Sequence, residues 1–418
     1  MLYKLLIIFL LSFSPLLTQA MQANSCESQF FLASKDFPGH FVAVEGGIGH
    51  GRLHSQGGGE DCWAQAITSL VETMFFIKTG KKVNLSPEYD LFWHSYLQIQ
   101  SNLRKFGQMR AEYQTSNPSP RMQKIQKQFQ DAYGLGPSGH VNVNLGFQLD
   151  VGADAKEAID KINFSGVVPS VRYDQELTTT EKENRIEQGL AHFVGNYILK
   201  ADNIERYSAK HNDKDGVNTA LFTDLVTSLM SHERAITQVP LRPDQEFKYG
   251  NRTTTPRKFL REDLKFEAKD FQYLKTNQTN QKIALRAIAE SIRNGLPALV
   301  GMELFGDDDV WMKEQTEGLL SEVTCGRNCK VVTGQHELLI VNYLFKDDPL
   351  VPTAIIVQNS WGRLGNRDIN GNKTRNPKKM GYYLISTEYL NRDEKNGPWD
   401  LLISRLLASK ITSAPLQN

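Results

Sequence analysis

Cysteine is scarce. Four occur in 418 residues, at positions 26, 62, 325 and 329. An exported or cytosolic chain of this length with so few does not depend on a disulfide framework. Charge of one sign is lacking too. Lys and Arg number 48 against 47 Asp and Glu, a formal net charge of +1. That balance speaks against nucleic acid or an anionic membrane as the main partner. After the first twenty residues no run is long and uncharged enough to cross a bilayer, so no stable membrane insertion is expected. No internal repeat is evident. What is present is globular: 40% hydrophobic residues and 31 glycines, which excludes a disordered polymer or a collagen. At roughly 100–200 residues per domain, two or three units are expected.

The first twenty residues have one charge, Lys4, then the apolar run Leu5–Leu11, then Pro15 and the small-residue end Thr18-Gln19-Ala20. This is the pattern of a cleaved secretory signal. The run is too short to span about 30 Å of hydrocarbon as a helix. A secreted or periplasmic protein is expected. Asn24 before Cys26 counts against lipid attachment there. Asn-x-Ser/Thr sites stand at Asn84, Asn163, Asn251, Asn277 and Asn372, relevant only in a glycosylating host.

Ile67, Leu70, Val71, Met74 and Ile77 fall at three- and four-residue steps, which predicts a helix starting at Cys62 with one apolar face and a stop at Gly80. Ser86-Pro87 predicts the cap and first position of a second helix carrying Tyr89, Phe92, Trp93 and Tyr96. Lys105–Gln130 reads as a charged surface helix, and Ala155–Ile162 as a short one. Residues 175–290 read as a polar, inserted helical region. From Leu296 the pattern changes to short β-rich runs at Pro297–Leu304, Leu338–Phe345, Thr353–Gln358 and Tyr382–Ser386. The fold class is α+β. The expected organisation is a signal peptide over 1–20, a helical lobe with Cys62 over 21–175, an insertion over 176–290 and a β lobe over 291–418.

Cys62 opens its helix after the glycine-rich stretch Gly57-Gly58-Gly59. A helix N-terminus concentrates unpaired N–H groups and stabilises a thiolate, the species that attacks carbonyls. Gln56, six residues earlier, can bring its amide beside the thiol. With the Cys62 backbone N–H it forms a candidate oxyanion hole. A nucleophilic Cys needs a base and an orienter for that base. His336 opens an apolar strand; Asn359 ends the strand from Ala354 and precedes Ser360-Trp361-Gly362. Adjacent antiparallel strands can set the Asn oxygen on one imidazole nitrogen and leave the other for Cys62.

Taken together, Gln56-x5-Cys62-Trp63, His336 on a strand, and Asn359-Ser360-Trp361-Gly362 followed by Gly381-Tyr382-Tyr383 resemble the papain-like cysteine peptidases. The stretches Leu85–Trp93, Gly166–Pro169, Thr255–Arg261 and Ala284–Gly295 are similar to the bleomycin hydrolase and aminopeptidase C branch. The resemblance implies a two-lobed fold, a helical lobe plus an antiparallel β half-barrel, with a helical insertion. It implies Cys62 as nucleophile, His336 as base and later acid, Asn359 as orienter and Gln56 as oxyanion donor. The implied reaction is peptide hydrolysis through a thioester, on a peptide or protein substrate, with no metal or organic cofactor. About forty residues separate the expected cleavage from Cys62, too few for the long pro-segment of many secreted relatives. The branch forms hexameric cages, so a homo-oligomer is a further expectation.

Other readings compete at several residues. Cys62 alone reads as a small buried hydrophobe, and His54 is a rival base. Glu60 and Asp61 before Cys62 raise a thiol pKa, and Glu337 adds charge beside His336. These acids support an alternative, a silent papain-fold protein that binds peptides or a partner protein. Cys325 and Cys329 read first as a local disulfide and second as half of a zinc site. Asp307-Asp308-Asp309 reads as a solvated turn.

Overall fold

The computed structural model describes residues 31–34, 37–43, 62–113, 153–173, 189–190, 192–193, 206–207, 209–232, 234–276, 280–305, 319–320, 331–358, 367–370, 372–375, 381–390 and 399–404. The chain enters through a hairpin, β1 (Phe31–Ser34) and β2 (Phe37–Ala43), and then builds the helices α1 (Cys62–Thr79), α2 (Pro87–Tyr113), α3 (Ala155–Ser165) and α4 (Thr219–Ser231). A small hairpin follows, β3 (Phe247–Tyr249) and β4 (Arg252–Thr254). Then come β5 (Phe271–Lys275), α5 (Gln281–Arg293), β6 (Ala298–Phe305), β7 (Leu319–Leu320), β8 (Val331–Phe345), β9 (Pro352–Gln358), β10 (Tyr382–Ser386) and β11 (Asp400–Ser404).

Helix boundaries follow the caps. Gly80 takes φ +67° just past α1, a left-handed turn that glycine adopts without steric cost. The Ser86 hydroxyl accepts the Tyr89 N–H at 3.2 Å ahead of α2, with Pro87 at the first position. Asp154 accepts the Glu157 N–H at 2.7 Å and starts α3. Two of these helices depart from expectation, one in length and one in burial. The second runs to Tyr113, through about the first third of the stretch read as a separate surface helix. The first is buried over every residue from Cys62 to Phe75, not along one face, while Ile77 is 37% exposed. Periodicity misses this because the non-apolar positions Thr68, Ser69, Glu72 and Thr73 are packed inside as well.

The strands form one open sheet in the order β5-β11-β6-β8-β9-β10-β7, with β2 also pairing onto the end of β8 and β1 onto β2. Every pairing in it is antiparallel except β10 with β7. Both faces are covered. Leu299, Leu339, Ile356, Leu384 and Leu402 enter one core with α1, α2, α3 and α4. Their sequence neighbours Val300, Leu338, Ile355, Ile385 and Leu401 enter a second core under α5. Alternating side chains thus serve two cores, which explains why these strands read as continuous apolar runs. Within the stretch 176–290, Phe271–Lys275 extends this sheet and Gln281–Arg293 roofs its second face.

Candidate active site

Cys62 is the first residue of α1 and is 6% exposed. The first turn of α1 carries no acidic side chain, so its N–H groups and helix dipole act on the thiol unopposed from within that turn. The next residue, Trp63, is held by two neighbouring side chains. Its ring lies 4.7 Å from that of His94 on α2. Lys161 of α3 bonds to His94 Nδ1 and stands 6.0 Å over the Trp63 ring. The start of α1 is therefore held by α2 and α3, and its body packs against β8.

β8 carries His336, 3% exposed and in register with Met302 of β6. Glu337 follows it, in register with Gly301. Successive residues leave a strand on opposite faces. Glu337 therefore shares the face of Leu339 with the helical lobe, and His336 shares the face of Met302 and Leu338. The pairing of β8 with β9 ends at Leu339 opposite Gln358, one residue before Asn359. Gln56 and Asn359 lie outside the described residues, as do His54, Glu60, Asp61, His140, Cys325, Cys329, Trp361 and Asp307–Asp309. His192 and His232, without a motif in sequence, stack on each other with ring centroids 4.8 Å apart.

Glu337 has an environment that sequence reading did not foresee. Its Oε1 accepts the Ala155 N–H at the start of α3, at 3.1 Å. Burial pushes its carboxyl well above the usual 4.5, and the charges of Asp400 and Asp154 push the same way; the Ala155 N–H opposes them. Asp400 is raised as well, first by burial, against a hydrogen bond from Tyr273 and the charge of Lys275. Two sequence signals mark this place: Gly301 inside an apolar strand and Glu337 at the head of another.

No protein-family model matches the sequence, and no curated protein matches it. Solved structures do. PepW from Lactobacillus rhamnosis HN001 (DR20) is similar at a TM-score of 0.52 and 13% identity, over 88% of this chain and 83% of that one. Xylellain, a cysteine protease from Xylella fastidiosa, aligns at a TM-score of 0.36 and 13% identity, over 84% of this chain and 82% of that one. A structure concerning the mite allergens Blo t 1 and Der p 1 aligns at 0.35 and 13%, over 84% and 66%. With its helical lobe set against an open antiparallel sheet, the chain has the α+β papain-like fold.

Proposed function

We propose that this protein is an exported thiol peptidase of papain-like fold, nearest in kind to the bleomycin hydrolase and aminopeptidase C branch. The observation that carries the reading is Cys62 at the N-terminus of the long buried helix α1, which packs against β8; His336 stands on that same strand, on the face opposite Glu337. In this reading the Cys62 thiolate attacks the scissile carbonyl. A C–S bond forms, and the carbonyl oxygen takes the negative charge opposite the Cys62 N–H and the Gln56 amide. His336, oriented by Asn359, gives its proton to the leaving amine as the C–N bond breaks. It then takes a proton from water as the oxygen attacks the thioester; the C–S bond breaks, the acid leaves, and the Cys62 thiolate and protonated His336 are restored. Export rests on the Met1–Ala20 pattern. Among the described residues no helix is long and apolar enough to cross a membrane. A homo-oligomer belongs to the same proposal.

The test is intact mass after brief exposure to a thiol-directed epoxide near neutral pH, with Cys62→Ser and His336→Ala controls. One adduct on Cys62 that depends on His336 is expected. An unmodified, folded protein overturns the reading. A second reading, peptide binding without cleavage, draws on the opposite facing of His336 and Glu337. That alternation gives the helix-facing side of β8 a carboxyl at this point. Peptide binding with no covalent adduct would favour it.

A further inference from the structure

One row of residues across the sheet carries chemistry that the hydrolytic steps do not use. Asp400 of β11, Gly301 of β6 and Glu337 of β8 stand side by side in register. They share the face of Leu299, Leu339 and Leu402, which meets the helical lobe. Gly301 contributes no side chain, and the Glu337 carboxyl occupies the space above it: a Cβ on Gly301 would overlap Glu337 Oε1. The carboxyl therefore leans from β8 towards β11, where Asp400 stands. Strands spaced about 4.8 Å apart put those two backbones about 10 Å from each other. Asp154, the cap of α3, flanks the row, and its neighbour Ala155 donates to Glu337. On β5, Tyr273 hydrogen-bonds Asp400.

The charges here are poorly matched. Glu337 is 4% exposed, and its Oε2 accepts no hydrogen bond. Oδ1 of Asp400 is buried and also accepts none. Lys275 lies opposite Asp400 in register, but its side chain is exposed. A buried carboxylate is costly until a cation or a donor meets it. Asp154, Asp400 and Tyr273 are only partly buried, so the row meets solvent on their side. Among the described residues no three His, Cys, Asp or Glu side chains converge to hold a metal ion. The Glu337 carboxyl lies over Gly301, with Asp400 in register across β6 and Asp154 at the cap of α3, so the three carboxyls do not meet at a point. That arrangement suits an ammonium or guanidinium on an aliphatic stem, with the Tyr273 ring beside the stem.

We propose that the site over Gly301, between Glu337, Asp400 and Asp154, binds a lysine or arginine side chain of a peptide substrate, with Glu337 as the specificity-determining residue. The proposal deepens the peptidase reading and rests on it for the peptide nature of the ligand. Glu337 leaves β8 on the face opposite His336, so a side chain held there anchors the peptide on the face that meets the helical lobe, the lobe whose helix α1 begins at Cys62.

The test uses dye-labelled alanine hexapeptides with one lysine moved through each position, and the same set with norleucine. Binding to full-length Cys62→Ala is read by fluorescence anisotropy, and turnover is read with the unmodified chain. The expected result is at least a tenfold tighter binding of lysine over norleucine at one position. That ratio should fall towards one in Glu337→Gln, and weaken in Asp400→Asn should the first variant fold poorly. Equal binding of both sets, no binding of either, or a lysine preference undiminished in both variants overturns the proposal. Preference in binding without turnover leaves it standing and removes the peptidase reading; turnover without preference does the reverse.

Discussion

The hydroxyl of Thr68 donates to Oδ2 of Asp90 at 3.1 Å, joining α1 to α2 between two buried residues. Asp90 Oδ1 has no partner, and burial holds this carboxyl well above its ordinary 3.8 against the help of Thr68. The folded chain thus keeps a proton on Asp90 that the unfolded chain gives up from about pH 3.8 upward. Between those two pKa values the folded state binds more protons, so stability falls as pH rises. Asp90→Asn keeps the shape and removes the titration. Its melting temperature should match the parent's in acid and exceed it at neutral pH, and melting curves across that range check this. Glu337 is raised in the same sense and adds to the same fall.

Turnover gives the second prediction. Cys62→Ala should retain the parent's circular dichroism and lose peptide hydrolysis to background. His336→Ala should lower kcat/KM by about 10²- to 10⁴-fold, the usual worth of a positioned acid–base group. Assays of purified variants on a fluorogenic peptide decide both.

Gly301→Ala forces the Glu337 carboxyl off its seat and away from the Ala155 N–H. The Ala155 donor and the carboxyl both then need new partners. A cost of about 1–3 kcal/mol is expected, read from the urea midpoint. Adding Glu337→Gln should not restore it, because the crowding is steric.

Gly166 shows a harsher version. It turns the chain out of α3 at φ +72°, and a Cβ there would overlap the backbone of Pro256. Around that contact Val167 donates to the Pro256 carbonyl at 3.3 Å. Arg257 donates through Nε to the Phe164 carbonyl at 2.5 Å and through its guanidinium to the Asp215 carbonyl at 2.7 Å. Gly166→Ala should cost about 3 kcal/mol or more from strain and clash together, and should release the segment around Pro256 to protease first.

Much of this architecture was legible from local signals. Ser86-Pro87 and Gly80 mark helix ends by their own chemistry, and the apolar runs at Leu338–Phe345 and Thr353–Gln358 fall on β8 and β9. Other parts were hidden by physical causes. Phe271–Lys275 and Asp400–Ser404 are five-residue strands that exist because each finds the other far along the chain. The burial of Thr68, Ser69, Glu72 and Thr73 depends on neighbours that no window of sequence contains; Glu72, for one, accepts the Leu85 N–H at 2.7 Å. At the candidate site, Cys62 announces itself by its helix start. The acid group around Glu337 does not, since Asp400 and Glu337 come together only through register and Asp154 only through the docking of α3.

β11 is the last described strand, yet it lies inside the sheet, between β5 and β6. During synthesis β6 has no neighbour on that flank, and β5 has nothing to join, until Asp400–Ser404 leaves the ribosome. Contacts of such long sequence separation form slowly. From the synthesis of Ala298–Phe305 until that of Asp400–Ser404 the emerging chain carries an open, apolar strand edge, the state in which chains aggregate. Completion of the fold must therefore be a late event, and a chaperone able to shield that edge is the kind of helper the topology calls for.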